Sequence, residues 1–196
     1  MGEQTIVAMT ADEFFAWQER QSDLYELVDG YPLRMMSGAS NRHDQITVNI
    51  IAGTATRLRG NSCRPTTQDT SIRISNTQIR RPDVAIACGP IVDNSYIATD
   101  PRVVFEVLSP STRLFDQAKK LEEYKSVASL RRVLLIDPDA AEVIVFTREA
   151  NAGWTSRTIT GLDQDIVFAD PELVLPMAEI YAGLTFRPRP ILVEKS

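Results

Sequence analysis

Two acidic residues of the chain stand next to runs of strand-forming residues. Asp83 comes directly before Val84-Ala85-Ile86, and Glu106 comes directly after Val103-Val104-Phe105. A carboxylate is costly to bury among apolar residues unless it is paired or binds a cation. Lys120 follows on the next predicted helix and could supply a positive charge. Two carboxylates on neighbouring strands with a lysine nearby suggest a site where a hard metal ion cleaves phosphodiester bonds.

Each carboxylate also has a plainer interpretation. Pro82 favours an extended backbone before it and marks a strand start, so Asp83 could be only a turn residue at the strand entrance. Glu106 could point to solvent from a half-exposed strand. However, Val104 and Leu108 share its face of the strand, and a glutamate among apolar neighbours needs a partner.

Three further polar residues are candidates for the same site. Asp116 and Lys120 are four residues apart on one helix face, so they form either a surface ion pair or an arrangement in which Lys120 points inward. His43 is the only histidine in the sequence, so a zinc site with several histidines is excluded. It is either a residue of the site or a helix-cap or surface residue. Glu26 is either an exposed hairpin residue or an additional acid of the site.

Several common catalytic motifs are absent from the sequence. It contains no G-x-x-x-x-G-K-[ST] phosphate loop, no G-x-G-x-x-G dinucleotide loop and no G-x-S-x-G nucleophile elbow. The serines, the histidine and the aspartates show no spacing that suggests a catalytic triad. These observations argue against nucleotide-loop enzymes and serine hydrolases.

The composition predicts one ordinary globular domain. The chain has 196 residues, of which 43% are apolar and 24% are charged. No apolar run approaches the roughly 18 residues that span a membrane, and no export signal is visible. Cys63 and Cys88 form no motif, so we expect two free, buried thiols and a cytoplasmic location.

The charge is unevenly distributed along the chain. The net charge is −5, but the segment 42–82 holds seven arginines and two aspartates, which gives it 7 − 2 = +5. Such a segment could form a surface for a polyanion, or it could be a scatter of solvated arginines. The arginines are Arg42, Arg57, Arg59, Arg64, Arg73, Arg80 and Arg81.

The hydrophobic pattern predicts a mixture of helices and strands. Thr10 and Glu13 form a capping box before a helix at 11–19, and Asp29-Gly30 marks a hairpin turn. The other predicted helices lie at 41–59, 112–127 and 176–183. The predicted strands lie at 25–28, 32–36, 70–74, 83–87, 102–108, 132–136, 142–147, 154–160 and 165–168. The apolar runs at 83–87 and 102–108 are typical of central strands covered on both faces, so we expect an α/β domain.

At these residues the chain resembles the Uma2 (Uma-two) family of restriction endonuclease-like proteins, within the PD-(D/E)XK nuclease superfamily. The match covers about residues 10–185, and its order and spacing are more specific than any single motif. The resemblance implies a restriction-endonuclease-like core with a central mixed sheet flanked by helices and an N-terminal hairpin. We expect a single domain at 1–185 and an extended tail at 186–196. The matching pieces are Tyr25-Glu26-Leu27-Val28-Asp29-Gly30, His43, Arg81-Pro82-Asp83-Val84, Glu106 to Thr112, Asp116, Lys120, Tyr124 and Leu135-Ile136-Asp137-Pro138.

The resemblance also implies roles for site residues. Asp83 and Glu106 look like metal ligands, and the main-chain carbonyl of Val107 would supply another oxygen. The superfamily's usual lysine position, two residues after the acid, is Leu108 here, so the resemblance suggests that Lys120 replaces it. The remaining implied site residues are Glu26, as an additional acid, and His43, lining the site.

The implied activity is metal-dependent hydrolysis of DNA. We expect Mg²⁺ or Mn²⁺ as the cofactor, DNA as the partner, no membrane association and a homodimer, since superfamily members often dimerise to cut both strands. Two alternatives stay open. The chain could be an inactive nuclease-fold protein that binds nucleic acid or a protein partner, or it could be a metal-dependent hydrolase of a small substrate.

Overall fold

The computed structural model describes residues 7–35, 40–109, 114–151 and 153–186, without the side chains of 114–116. Runs of two to five strands separate its helices. The N-terminal elements are α1 (Ala11–Gln18), β1 (Tyr25–Val28), β2 (Tyr31–Arg34) and α2 (Asn41–Arg57). The middle elements are β3 (Arg64–Thr67), β4 (Ile72–Ser75), β5 (Gln78–Arg80), β6 (Val84–Ala87), β7 (Pro101–Val107) and α3 (Leu114–Ser126). The C-terminal elements are β8 (Arg132–Asp137), β9 (Glu142–Glu149), β10 (Gly153–Thr160), β11 (Asp165–Ala169), β12 (Glu172–Pro176) and α4 (Met177–Ile180).

A six-stranded sheet forms the centre of the fold, in the order β10-β9-β8-β7-β6-β3. Strands β7 and β8 run parallel, and the other neighbouring strands run antiparallel. The parallel pair is joined by a crossover that contains α3, since parallel strands cannot be connected by a tight turn. The predicted α/β fold with a central mixed sheet is confirmed.

The central strands are buried on both faces. All four residues of β6 are buried, and alternate residues of β6 and β7 belong to two different hydrophobic clusters. Val84 and Phe105 lie in one cluster, and Ala85 and Val104 lie in the other. This two-sided burial explains why these strands are nearly continuous apolar runs in the sequence.

A second, antiparallel sheet has the order β2-β1-β5-β4. The β1–β2 hairpin turns at Asp29 and Gly30, whose positive φ values of 52° and 85° a tight hairpin turn requires. Leu27 and Ile79 are register partners and pack with α1 in one buried cluster. Since side chains alternate along a strand, the residues on either side of Leu27 face away from α1.

The structure contains three strands that the sequence pattern did not predict, namely β3, β5 and β12. Pro65 lies inside β3, and proline in a strand is tolerated because β3 is at the edge of the sheet. Strand β5 has only three residues, too few for a visible alternation. The last helix is also shorter than predicted, because Pro176 ends β12 and α4 covers only Met177–Ile180.

The prediction of free cysteines is wrong, because Cys63 and Cys88 form a disulfide bond. Cys63 directly precedes β3 and Cys88 directly follows β6. Arg64 and Ala87 are register partners in that antiparallel pair, so the two cysteines are brought opposite each other. The bond therefore links the edge strand β3 of the central sheet to its neighbour β6. The two cysteines are 25 residues apart in sequence, and no local motif indicates that they pair.

The limits of the predicted domain stay a prediction, since the described residues end at 186 and begin at 7. Phe186, the first residue of the predicted tail, packs edge-on against Tyr181 with 5.3 Å between ring centroids. The guanidinium of Arg42 lies over the same ring at 5.3 Å from its centroid. Within the described ranges, no helix has the length and apolar character needed to cross a membrane.

Candidate active site

Asp83 and Glu106 lie side by side where two paired strands of the central sheet end: Asp83 directly precedes β6, and Glu106 is the penultimate residue of β7. Val84 is the register partner of Phe105 in the antiparallel pair of β6 and β7, so the residues that flank them, Asp83 and Glu106, come opposite each other on the same face. The backbone N–H of Val107 donates a 2.7 Å hydrogen bond to Oδ2 of Asp83. The structure therefore brings together the two acids that the sequence singled out.

Helix α3 directs a lysine and a tyrosine at Glu106. Lys120 Nζ lies 2.9 Å from Oε1 of Glu106, and the Tyr124 hydroxyl donates a 2.6 Å hydrogen bond to the same oxygen. The two side chains are one helical turn apart, so they lie on one face of α3. Lys120 therefore points toward the interior of the protein, which is one of the two orientations that the sequence allowed. The alternative ion pair with Asp116 lies outside the described side chains.

Glu26 reaches the site from the second sheet. Its Oε1 accepts a 2.8 Å hydrogen bond from the backbone N–H of Arg81 and lies 3.3 Å from Lys120 Nζ. Its Oε2 accepts a 2.8 Å hydrogen bond from Nη1 of Arg80. Lys120 therefore bridges an acid of each sheet, Glu26 on one side and Glu106 on the other.

His43 contacts the opposite end of the site. It lies in the first turn of α2, where Ser40 caps the helix by accepting a hydrogen bond from the His43 backbone N–H. Its Nε2 is 3.3 Å from Oδ2 of Asp83. This contact with Asp83 is the main reason that the pKa of His43 is raised, although partial burial opposes the shift. All five side chains that the sequence nominated thus converge, since Asp83 and Glu106 link His43 to Lys120 and Glu26.

The charges of the site depend strongly on one another. Burial, reinforced by the neighbouring Asp83 carboxylate, raises the pKa of Glu106 to about 7, although Lys120 and Tyr124 oppose the shift. Burial alone would raise the pKa of Glu26 as well, but Lys120 and Arg80 outweigh it and the pKa is lowered. Burial opposes the charged form of Lys120, yet the surrounding carboxylates raise its pKa above the ordinary lysine range. The ammonium group is therefore kept charged inside the protein.

The donor set fits a hard divalent cation. Asp83 and Glu106 supply carboxylate oxygens on one face of the sheet, and the contacts described for them use Oδ2 and Oε1, respectively. No three histidine, cysteine, aspartate or glutamate side chains in the described part of the chain are arranged to hold a metal by themselves. A cation here would complete its shell with a backbone oxygen and water, as Mg²⁺ does and as a structural zinc does not.

A small cavity adjoins the acid and the ammonium group. It has a volume of about 50 Å³ and is lined by Glu106, Lys120 and Tyr124 together with Gln117 and apolar side chains, including Leu121. Such a volume has room for water but not for a nucleotide. A substrate must therefore lie on the open surface outside it.

Two residues behind the site were not nominated from the sequence. Arg80 donates from Nε and Nη2 to the two carboxylate oxygens of Glu123, at 2.5 and 3.1 Å, and from Nη1 to Glu26. Glu123 also accepts a 2.8 Å hydrogen bond from Gln78. One signal was available, since Glu123 follows Lys120 by three residues and therefore lies beside it on the helix surface.

The arginines of segment 42–82 do not form a free basic surface. Arg80 and Arg81 are buried, and Arg81 donates to the backbone carbonyls of Tyr25, Gln68 and Asp69. The others with described partners bind within the chain, Arg42 to Pro138, Thr185 and Asp139, Arg57 to Glu179, Arg64 to Gly89, and Arg73 to Asp12 and Asn76. Arg57, Arg59 and Arg73 are exposed, so the scatter of solvated arginines describes these three, whereas the buried Arg80 and Arg81 fit neither interpretation offered by the sequence.

Comparisons with known proteins agree with this architecture. The family model Uma2, described as "Putative restriction endonuclease", matches residues 11–182. Two proteins of Synechocystis are similar to the chain: the uncharacterized protein slr1290 is 30% identical over 180 residues, covering 91% of this chain and 94% of that protein. The uncharacterized protein sll1609 is 27% identical over 169 residues, covering 84% of this chain and 95% of that protein.

A crystal structure shares the fold. It is described as a putative nuclease belonging to DUF820 from Anabaena variabilis, and it superposes with a TM-score of 0.70 at 18% identity, covering 89% of this chain and 98% of that one. At that identity the likeness concerns the fold alone. The family model, in contrast, spans both sheets and all the residues of the site. The chain therefore belongs to the Uma2 family of restriction endonuclease-like proteins.

Proposed function

We propose that the protein is a metal-dependent endonuclease that hydrolyses phosphodiester bonds in DNA, with Mg²⁺ or Mn²⁺ as its cofactor. One observation carries the proposal: Asp83 and Glu106 lie opposite each other on one sheet face, with the Lys120 ammonium group 2.9 Å from Glu106. Membership of a family described as "Putative restriction endonuclease" and the fold shared with a protein described as a putative nuclease support it.

Asp83, Glu106 and the Val107 carbonyl would hold the metal. When bound, the metal would lower the pKa of a coordinated water and neutralise charge on the transferred phosphate. Lys120 is held in place by two carboxylates, so its ammonium group would orient the attacking water or stabilise negative charge on the phosphate. Tyr124 and the backbone N–H of Val107 hold Glu106 and Asp83 in the orientation that this role needs.

Nicking of supercoiled plasmid DNA tests the proposal. The wild-type protein should nick in Mg²⁺ or Mn²⁺ and not in EDTA, and Asp83→Asn and Glu106→Gln should each abolish nicking. Glu172→Gln is the matched control, since Glu172 is an exposed acid on β12, which belongs to a separate two-stranded sheet. The proposal fails if no DNA is cut in either metal, or if the two site variants cut as well as the wild type.

A second candidate is a nuclease-fold protein that binds nucleic acid or a protein partner without cutting. It is favoured by the internal ion pairs of the site, because Lys120 already compensates Glu106 and Glu26, and His43 contacts Asp83. DNA binding without turnover in either metal, unchanged in Asp83→Asn, would identify this function.

Two further proposals concern the assembly and the location of the protein. We propose a homodimer, since two copies of one site can cut both strands of a duplex, and sedimentation at several protein concentrations tests it. We also propose a cytoplasmic location, where DNA is accessible; the Cys63–Cys88 disulfide weighs against it, because disulfides are rare in a reducing cytoplasm. Fractionation of cells that produce the protein tests that location, and a protein found outside the cytoplasm would contradict it.

A further inference from the structure

Two large apolar side chains are exposed on the edge strand β2. Tyr31 is 51% exposed and Leu33 is 56% exposed. They are two residues apart, so they lie on the same face of the strand. We call this pair the edge-strand platform. Exposed apolar residues that are adjacent on a sheet face form a surface that a ligand can cover.

The register places this platform on the site side of the sheet. Leu33 is the partner of Glu26, and Tyr31 is the partner of Val28. Partners in an antiparallel pair project to the same face, so both side chains share a face with the Glu26 carboxylate. Leu27, Ile79 and α1 pack on the opposite face. The platform is therefore continuous with Glu26, whose carboxylate contacts the Lys120 ammonium group.

Helix α3 contacts both the site and the hairpin that carries the platform. Lys119 Nζ lies 2.6 Å from Oδ2 of Asp29, in the turn that joins β1 to β2. The adjacent Lys120 contacts Glu26 in the strand that pairs with β2. Since the cavity beside Glu106 is too small for a base, the bases that flank the reacting phosphate must rest on a surface such as this one.

The charges of the protein favour stacking as the means of holding the substrate. The net charge is −5, and the arginines of segment 42–82 with described partners contact other groups of the chain, at the surface in the case of Arg57 and Arg73. A duplex is held chiefly through its phosphates, which need such cations. A single strand offers exposed base faces that stack on aromatic rings.

We propose that Tyr31, supported by Leu33, stacks against an unpaired base next to the phosphate that is cleaved, so that the substrate is a single-stranded segment of DNA. The inference rests on the proposed function, because it names the substrate of the same site. In a duplex the bases are stacked on one another and turn only their edges outward, so the platform selects against fully paired DNA.

Binding to a labelled oligonucleotide in EDTA tests the inference without cleavage. A single strand with 2-aminopurine should bind more tightly than the same sequence in a duplex, and its fluorescence should be quenched by stacking. Tyr31→Ala should weaken binding by about 5- to 100-fold and remove the quenching, whereas Tyr31→Phe, which keeps the ring, should bind within about twofold of the wild type. Tyr96→Ala is the matched control, since Tyr96 is 45% exposed and stacks on Phe15 of α1, on the other side of the sheet.

Equal binding by the wild type and Tyr31→Ala would overturn the inference, as would tighter binding of the duplex. An equal loss in Tyr96→Ala would also overturn it, because the effect would then not belong to this platform. Nicking of plasmid DNA by the wild-type protein in Mg²⁺, a readout independent of strand binding in EDTA, separates this result from the proposed function. Failure of the wild-type protein to cut any phosphodiester overturns the proposed nuclease activity and leaves the strand-binding result to stand or fall separately.

Discussion

Lys119 and Lys120 are adjacent in sequence but have different environments. Lys119 contacts Asp29 at the surface, whereas Lys120 is enclosed between Glu26 and Glu106. Consecutive helix residues point about 100° apart, so one lysine can be solvated while the next is buried. This arrangement supplies a matched pair of positions, equal in residue type and helix context, with only one of them at the site.

We expect Lys120→Met to lower the rate of DNA cleavage by about 100- to 1,000-fold, as removal of a group that stabilises transition-state charge does. Lys119→Met should retain the wild-type rate. Single-turnover cleavage in Mg²⁺ measures both, and circular dichroism checks that both variants are folded. Equal losses in the two variants would show that the ammonium group of Lys120 has no special part in the reaction.

The raised pKa of Glu106 predicts a pH-dependent stability in the metal-free protein. Burial and Asp83 raise this pKa to about 7, so between its unfolded value and pH 7 the folded state binds more protons than the unfolded state. The free energy of unfolding should therefore fall as pH rises through this range, by about 1–3 kcal/mol from this group. Denaturant unfolding in EDTA at pH 5 and pH 8 measures the fall.

Glu106→Gln is the comparison, because it removes the titrating group but keeps the shape of the side chain. Its free energy of unfolding should decrease less between pH 5 and pH 8 than that of the wild type. Saturating Mg²⁺ should also reduce the decrease in the wild type, because a metal binds the ionised carboxylate. A decrease of the same size in the Gln variant would exclude Glu106 as its source.

At the scale of elements, the site depends on contacts between α3 and the second sheet. Arg80 of β5 donates to Glu123 of α3 and to Glu26 of β1 through three different nitrogen atoms. Glu123 is on the same helix surface as Lys120. The guanidinium therefore fixes both the acid and the helix that together hold Lys120.

We expect Arg80→Met to lower the free energy of unfolding by about 3–5 kcal/mol, since it leaves two buried carboxylates without their partner. Arg80→Lys should recover only part of this loss, because an ammonium group cannot contact both carboxylates in the same planar geometry. Denaturant unfolding at neutral pH measures both changes.

Arg57→Met is the control for this prediction. Arg57 also pairs with a carboxylate through two nitrogen atoms, at 2.8 and 2.6 Å from Glu179, but at the protein surface. Since exposed ion pairs contribute little, its loss should cost about 0–1 kcal/mol. A similar cost for Arg57→Met and Arg80→Met would mean that burial does not distinguish the two pairs.

At the scale of the whole molecule, the charge distribution predicts a weak dependence of DNA binding on salt. Most arginines of the basic segment already contact other groups of the chain, so we expect few of them to neutralise phosphates. We expect the logarithm of the association constant for a single strand to fall with the logarithm of salt concentration with a slope of about −2 or shallower, which corresponds to three or fewer phosphate contacts. Titrations of a labelled strand over a series of salt concentrations measure the slope, and a slope near −5 would contradict the expectation.

Much of the fold could be predicted because local signals and burial agree. The capping box of Thr10 and Glu13 and the Asp29-Gly30 turn are both present as predicted. The apolar runs that became β6 and β7 are fully consistent with central strands. The convergence of Asp83 and Glu106 could be anticipated for the same reason, because a carboxylate inside such a run requires a partner.

The rest depends on contacts between segments that are distant in sequence. The partnership of Arg80 with Glu123 spans 43 residues, and nothing in the local sequence of either residue indicates it. The net positive charge of segment 42–82 likewise says nothing about where each guanidinium points. The disulfide required knowledge of the register between β3 and β6, which the sequence pattern could not supply because β3 contains a proline and did not look like a strand.

That disulfide has a consequence for how the protein behaves in a reducing solution. Strand β3 covers one edge of β6, and the bond between Cys63 and Cys88 fastens it there. An uncovered strand edge pairs readily with another chain. We expect a reductant, or the double variant Cys63→Ser/Cys88→Ser, to promote self-association, measured by light scattering, and a reductant should have no further effect on the double variant. The disulfide between β3 and β6 would then prevent molecules from associating through an uncovered edge of the central sheet.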